Sequence, residues 1–209
     1  MLPWNDKKKE HQRKVFNMLT KTGALKFGTF TLTSGKLSSY YIDLRIVPSF
    51  PDSYTIVCKA LIDLVKYDIG INEFDRISGI PTAGVPFASV IAYELNKPFL
   101  YVRKEVKTHG RERSVEGILN PGDRVLVVDD LITTGGSLIQ AVKTIRSEGG
   151  VVNDAAVLID RCESGSKALL KENIKPHFLS NILDIANTMY DSELLDEEQY
   201  KNIMDQIES

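Results

Sequence analysis

The sequence predicts an α/β fold, a mainly parallel sheet flanked by helices, and two observations carry that prediction. From residue 74 onward, short apolar runs alternate with amphipathic segments of helix length, joined by turns rich in glycine and proline. The strongest run, 125–128 (Val-Leu-Val-Val), is apolar at four successive positions, which suits a strand covered on both faces. At 209 residues, 43% hydrophobic and 26% charged, the chain has the length and composition for one packed domain, so we expect a single domain over 1–209.

The elements follow in order. Residues 6–20 have helical periodicity (Val15, Phe16, Met18, Leu19). Residues 27–32 and 40–44 read as two strands separated by a Thr33-Ser34-Gly35-Lys36 turn. Pro51-Asp52-Ser53 opens a helix to about residue 67, with Ile56, Val57, Ala60, Leu61 and Leu64 on one face. Strands are expected at 74–78, 98–102, 124–128 and 151–159, and helices at 85–95 and 138–148. The first strand feeds a Gly79-Ile80-Pro81-Thr82-Ala83-Gly84 turn. Residues 104–120 are charged, poor in apolar side chains and hinged by Gly110 and Gly117. A loop this long inside a compact domain is either a solvated excursion or a lid. The acidic 191–209 segment is helix-prone and reads as a packing helix.

Composition removes several function classes. A formal charge of −2 argues against a general nucleic-acid binder. No apolar run has the length of a membrane span, and the start of the chain (Lys7, Lys8, Lys9, Glu10) has no signal-peptide core. Cys58 and Cys162 stand in no metal-ligand spacing, so reduced thiols in a cytoplasm are expected, with Cys58 buried. A Walker loop is excluded because Gly136 is followed by Ser137 rather than by lysine, and no G-x-G-x-x-G spacing occurs.

The chemistry concentrates in 125–137. The apolar run ends at Asp129 and Asp130, and a Thr/Gly/Ser loop then opens the 138–148 helix. Free backbone N–H groups and the positive end of the helix dipole make such a junction an anion cradle. Two carboxylates beside it would repel a bare phosphate, whereas they would grip the vicinal hydroxyls of a ribose phosphate. This segment resembles the phosphoribosyl pyrophosphate (PRPP) signature of the type I phosphoribosyltransferases. The resemblance implies that fold, with Asp129 and Asp130 on the ribose hydroxyls. It implies too that Leu131 and Ile132 belong to the PRPP site and that the Thr133, Thr134, Gly135, Gly136 and Ser137 loop wraps the 5′-phosphate.

Three further segments narrow the resemblance to the orotate phosphoribosyltransferases. Residues 24–28 with 30–36 are similar to that family's N-terminal hood, which we expect over about 1–45. Residues 102–110 (Val-Arg-Lys-Glu-Val-Lys-Thr-His-Gly) look like its mobile catalytic loop, and 159–165 (Ile-Asp-Arg-Cys-Glu-Ser-Gly) match its acceptor-side turn. The resemblance implies transfer of ribosyl 5-phosphate from PRPP to orotate. Arg103, Lys104, Lys107 and His109 would stabilise the departing pyrophosphate, and Lys26, Thr133 and Arg161 would meet orotate. Arginine suits that last role because its fork grips a carboxylate in two places, although an isolated arginine more often pairs at the surface. Tyr40 and Tyr41 suit either a ring-covering role or the core of the hood. Mg²⁺ is the implied cofactor, held mainly by substrate with no protein metal site, and the implied assembly is a homodimer with shared active sites. The sequence departs from many bacterial members at Ala83, where they carry a pyrophosphate-binding lysine. A purine phosphoribosyltransferase is the near alternative, and a PRPP-sensing regulator the distant one. The regulator is disfavoured by the lid lysines and by the lack of room for a DNA-binding module.

Overall fold

The computed structural model describes residues 3–31, 37–103 and 114–208. The first helix, α1 (Trp4–Thr22), buries Val15, Phe16, Met18 and Leu19 and ends at Gly23, whose φ of 66° lies in the left-handed region. It is followed by an antiparallel pair, β1 (Leu25–Thr31) and β2 (Leu37–Ile42), forming the hood. The expected turn at 33–36, with Leu32, lies outside the described residues. A short tight helical turn, Leu44–Ser49, leads to α2 (Pro51–Leu64), which Pro51 opens at its first position. One wider turn extends that helix through Val65–Ile69, slightly beyond the expected end.

The main sheet comprises β3 (Arg76–Gly79), β4 (Phe99–Val102), β5 (Val115–Glu116), β6 (Val125–Ile132), β7 (Asp154–Asp160) and β8 (Lys175–Asn181), in the spatial order β5-β4-β3-β6-β7-β8. All neighbours are parallel except β4 and β5. The connecting helices are α3 (Gly84–Glu94), α4 (Gly136–Ser147) and α5 (Gly165–Lys171), and α6 (Ile182–Asp191) and α7 (Glu197–Glu208) close the chain. Because side chains alternate across a strand, Leu126 and Val128 join the core shared with α1, α2, α3 and the hood. Val125 and Val127 face the second core, with Leu138, Val142 and Ile145 of α4. Each fully buried aliphatic of this kind contributes about 1.5–3 kcal/mol. The chain winds from β3 to β4 in one direction and from β6 through β7 to β8 in the other, so the topology switches between β3 and β6. A crevice opens at the carboxyl ends of strands at such a point.

Three expectations need correction. The 104–120 loop is shorter than expected, because Val115 and Glu116 pair with Val102 and Tyr101 as an edge strand and Val115 is buried. A two-residue strand is too short to leave a period in the sequence. The strand expected to end at residue 128 continues to Ile132, since Leu131 and Ile132 pair with Ile159 and Asp160. Its helix accordingly begins at Gly136 rather than at residue 138. The sequence offered no strand at 175–181, where Pro176 and His177 interrupt the apolar pattern. As a sheet edge, β8 tolerates the proline, and His177 is satisfied by a 2.8 Å contact from Nε2 to Asp154 Oδ1. Helix α7 does pack, as expected of the acidic tail, with Ile203 fully buried.

Candidate active site

At the switch point lies a cavity of about 410 Å³. One wall is the β6–α4 junction, from Asp129 to Leu138, and the other is the Pro81–Thr82–Ala83 turn after β3. Two close approaches join these walls. The turn lies directly on β6, with Ile80 N–H donating to the Val128 carbonyl at 3.0 Å. A Cβ on Gly84 would sit 2.5 Å from the Val128 oxygen and 2.8 Å from Asp129 Oδ1, so only glycine fits. At the far side, Gly165 N–H donates to the Thr133 carbonyl at 3.0 Å, and a Cβ there would meet the same oxygen at 2.5 Å. The 160–165 turn thus holds the Thr133–Ser137 loop from behind. Asp160 sets that turn, with Oδ1 accepting from Cys162 N–H at 3.0 Å and Oδ2 from the Ser166 hydroxyl at 2.6 Å.

No side chain caps α4, whose first residues, Gly136 and Ser137, line the cavity. Its first-turn N–H groups have no intrahelical partner and are available to an anion. The structure therefore brings together Asp129, Asp130, Leu131, Ile132, Thr133, Thr134, Gly135, Gly136 and Ser137, as the sequence led one to expect. Asp129 is buried, and its Oδ1 accepts from Asp130 N–H at 2.9 Å. Burial, reinforced by the Asp130 charge, raises the Asp129 carboxyl well above the usual carboxylate range, and burial raises Asp130 as well. The two carboxyl groups thus stand side by side on the cavity wall.

Other expected residues fall around this centre. Arg103 ion-pairs with Glu116 and borders an adjoining cavity that shares Pro81, Gly136 and Ser137 with the first. Lys104, Lys107 and His109 lie outside the described residues. Lys26 is exposed on β1, paired in register with Tyr41, and its charge acts on Asp43. Arg161 is buried in the hood contact rather than in the cavity wall. Its Nε donates to the Tyr40 hydroxyl at 3.2 Å, its guanidinium lies 4.7 Å from the Tyr40 ring centre, and Glu163 lies 3.3 Å from Nε. Tyr40 itself is fully buried, which makes it a core residue of the hood. Sequence reasoning missed Arg45, which lines the cavity. Its only signal was an Asp-x-Arg spacing, indistinguishable from a surface ion pair. Cys58 is buried as expected, and burial pushes its thiol up to about 11, so it is no nucleophile at neutral pH.

Residues 51–185 match the family model of the phosphoribosyl transferase domain. Together with a doubly wound sheet and an acid-flanked anion cradle at its switch point, this match defines a phosphoribosyltransferase. The orotate phosphoribosyltransferase of Cenarchaeum symbiosum is 43% identical over 85% of this chain and 88% of its own. The crystal structure of orotate phosphoribosyltransferase from Aeropyrum pernix superposes with a TM-score of 0.76 and 35% identity, covering 84% of this chain and 97% of that one. The UMP synthase of Leishmania donovani superposes with a TM-score of 0.82 and 30% identity, over 93% of this chain but 41% of that longer one. The chain belongs to the orotate phosphoribosyltransferases.

Proposed function

We infer that this chain transfers ribosyl 5-phosphate from PRPP to orotate, forming orotidine monophosphate and pyrophosphate in pyrimidine (UMP) biosynthesis. The observation that carries this reading is the Asp129–Asp130 pair beside the uncapped α4 N-terminus in one cavity. In the proposed mechanism the 5′-phosphate sits on the N–H groups of the Thr133–Ser137 loop. The two carboxylates orient the ribose hydroxyls and lend negative charge to the anomeric carbon as it becomes cation-like. The ring nitrogen of orotate gives up its proton, to the departing pyrophosphate or to solvent. It forms the new bond to that carbon as the carbon–oxygen bond to pyrophosphate breaks, and both electrons of the broken bond leave with pyrophosphate. No protein nucleophile is required. Arg103, with Lys104, Lys107 and His109, stabilises the leaving group, and Arg161 and Lys26 serve orotate with Thr133.

Mg²⁺ fits this donor set. Two carboxylates, those of Asp129 and Asp130, border the cavity. An ion held mainly by substrate oxygens and water suits that arrangement and would neutralise part of the diphosphate charge. The two cysteines are unpaired, which supports a cytoplasmic setting. No described helix is long and apolar enough to cross a membrane.

With PRPP and Mg²⁺, we expect loss of orotate absorbance and no consumption of adenine or hypoxanthine. Conversion of a purine in preference to orotate would overturn the assignment. The family resemblance supports a homodimer whose lids reach across to the partner site. Lys107→Ala should lower turnover by roughly a hundredfold, the usual effect of removing one preorganised charge. Mixing inactive Lys107→Ala and Asp130→Asn subunits should then restore activity. None in confirmed heterodimers would argue for self-contained sites.

A further inference from the structure

Among the described residues, Arg45 is the single cationic side chain lining the 410 Å³ cavity. It leaves the hood just after β2, and the geometry of its anchoring is specific. Its Nε and Nη2 donate to the two oxygens of Asp43 at 2.7 and 2.9 Å, and Nη2 also reaches the Tyr41 hydroxyl at 3.0 Å. Asp43 is fixed in turn, with its N–H on the Ala24 carbonyl at 2.8 Å and Oδ1 accepting from Arg45 N–H at 3.1 Å. One edge of the guanidinium is thereby clamped, while Nη1 makes no hydrogen bond among the described residues. The side chain remains 60% exposed. Arg45 and Asp130 line the same cavity.

An exposed pair two residues apart adds little to stability, so the clamp is poorly explained as a device for folding. It is well explained as preorganisation, since a fork held on one side presents its other edge at low entropic cost. Among the described residues, the cavity lining otherwise offers an anionic donor two carboxylates, the uncharged Thr82, Thr133, Thr134 and Ser137, and neutral backbone. The α4 N–H groups would serve the donor's 5′-phosphate end, whereas the described residues of the opposite wall, Pro81, Thr82 and Ala83, include no cation.

We propose that Arg45 is a donor-binding residue that engages the diphosphate of PRPP through its free edge, with Asp43 and Tyr41 as its positioning residues. This rests on the transfer reaction inferred above. It gives the hood, until now assigned to the acceptor, a direct part in holding the leaving group.

The test is Arg45→Ala and Arg45→Lys, read by titration calorimetry with magnesium pyrophosphate and separately with ribose 5-phosphate, alongside steady-state kinetics. Arg45→Ala should weaken pyrophosphate binding and raise the KM for PRPP by about tenfold to a hundredfold, the effect of one charge-assisted hydrogen bond. Ribose 5-phosphate affinity and the KM for orotate should move by less than about twofold on the same scale. Lysine, keeping the charge but not the fork, should recover part of the loss. Unchanged pyrophosphate affinity would overturn the proposal, as would an equal loss for ribose 5-phosphate. Should the wild-type protein bind pyrophosphate through Arg45 yet fail to transfer to orotate, the acceptor assignment falls and this one stands.

Discussion

The two halves of the site are built by different means. On the donor side, main chain meets main chain: Ile80 on Val128, Gly84 against Val128 and Asp129, Gly165 on Thr133. On the hood side, side chains do the joining. Arg161 meets Tyr40 and Ser38, and Gln206 of α7 donates to the Ser38 hydroxyl at 3.0 Å and accepts from Ser39 N–H at 2.8 Å. Backbone contacts leave no latitude for substitution but give a fixed cradle, suited to phosphate and ribose. Side-chain contacts can be retuned one residue at a time, which suits the choice of acceptor.

That contrast can be broken or sharpened by mutation. The largest effect is expected at Gly84, where alanine must displace the turn from β6. We expect about 1–3 kcal/mol of lost stability and, because small misplacements at a reacting centre are costly, turnover down by roughly a hundredfold. Denaturant titration and steady-state assays would check both, and a fully active Gly84→Ala protein would refute the rigid-cradle view. Next comes Arg161→Ala, which should raise the KM for orotate by about tenfold or more while PRPP affinity stays within roughly twofold. Parallel loss of both affinities would mean that the two halves are not separable.

The smallest effect tests the electrostatics. Burial and the Asp130 charge raise the Asp129 carboxyl in the folded protein. A raised carboxyl means that the native state binds protons more tightly than the unfolded chain. Its stabilising contribution is therefore present at acid pH and is lost as pH rises through the folded value. Asp129→Asn should accordingly be more stable than wild type at pH 7, by about 2–4 °C in Tm for each 1 kcal/mol relieved. The gain should vanish at acid pH, and turnover should drop. A lower Tm at pH 7 would show that the carboxylate is stabilised rather than strained.

The same contrast explains what the sequence revealed. Residues 129–137 were legible because a contiguous stretch supplies the acids, the loop and the helix start, and the Gly79–Gly84 turn was visible as punctuation between strand and helix. Only the reach of β6 to Ile132 was hidden, since the ladder to β7 rather than residue type extends it. The hood joint was not legible. Tyr40 and Arg161 are 121 residues apart, and Ser38 and Gln206 are 168 apart, so no local period or motif records either contact. Arg45 was concealed differently, since its bonds to Asp43 are local and only the fold places it at the cavity.

The central claim is that the crevice between β3 and β6 seats a ribosyl phosphate, with its hydroxyls on the acid pair and its 5′-phosphate on the start of α4. A crystal structure with bound PRPP tests it most directly. The account predicts ribose hydroxyls within hydrogen-bond distance of Asp129 and Asp130, and phosphate oxygens on the N–H groups of residues 133–137. Donor bound elsewhere, or bound here with its hydroxyls turned from both carboxylates, would contradict it.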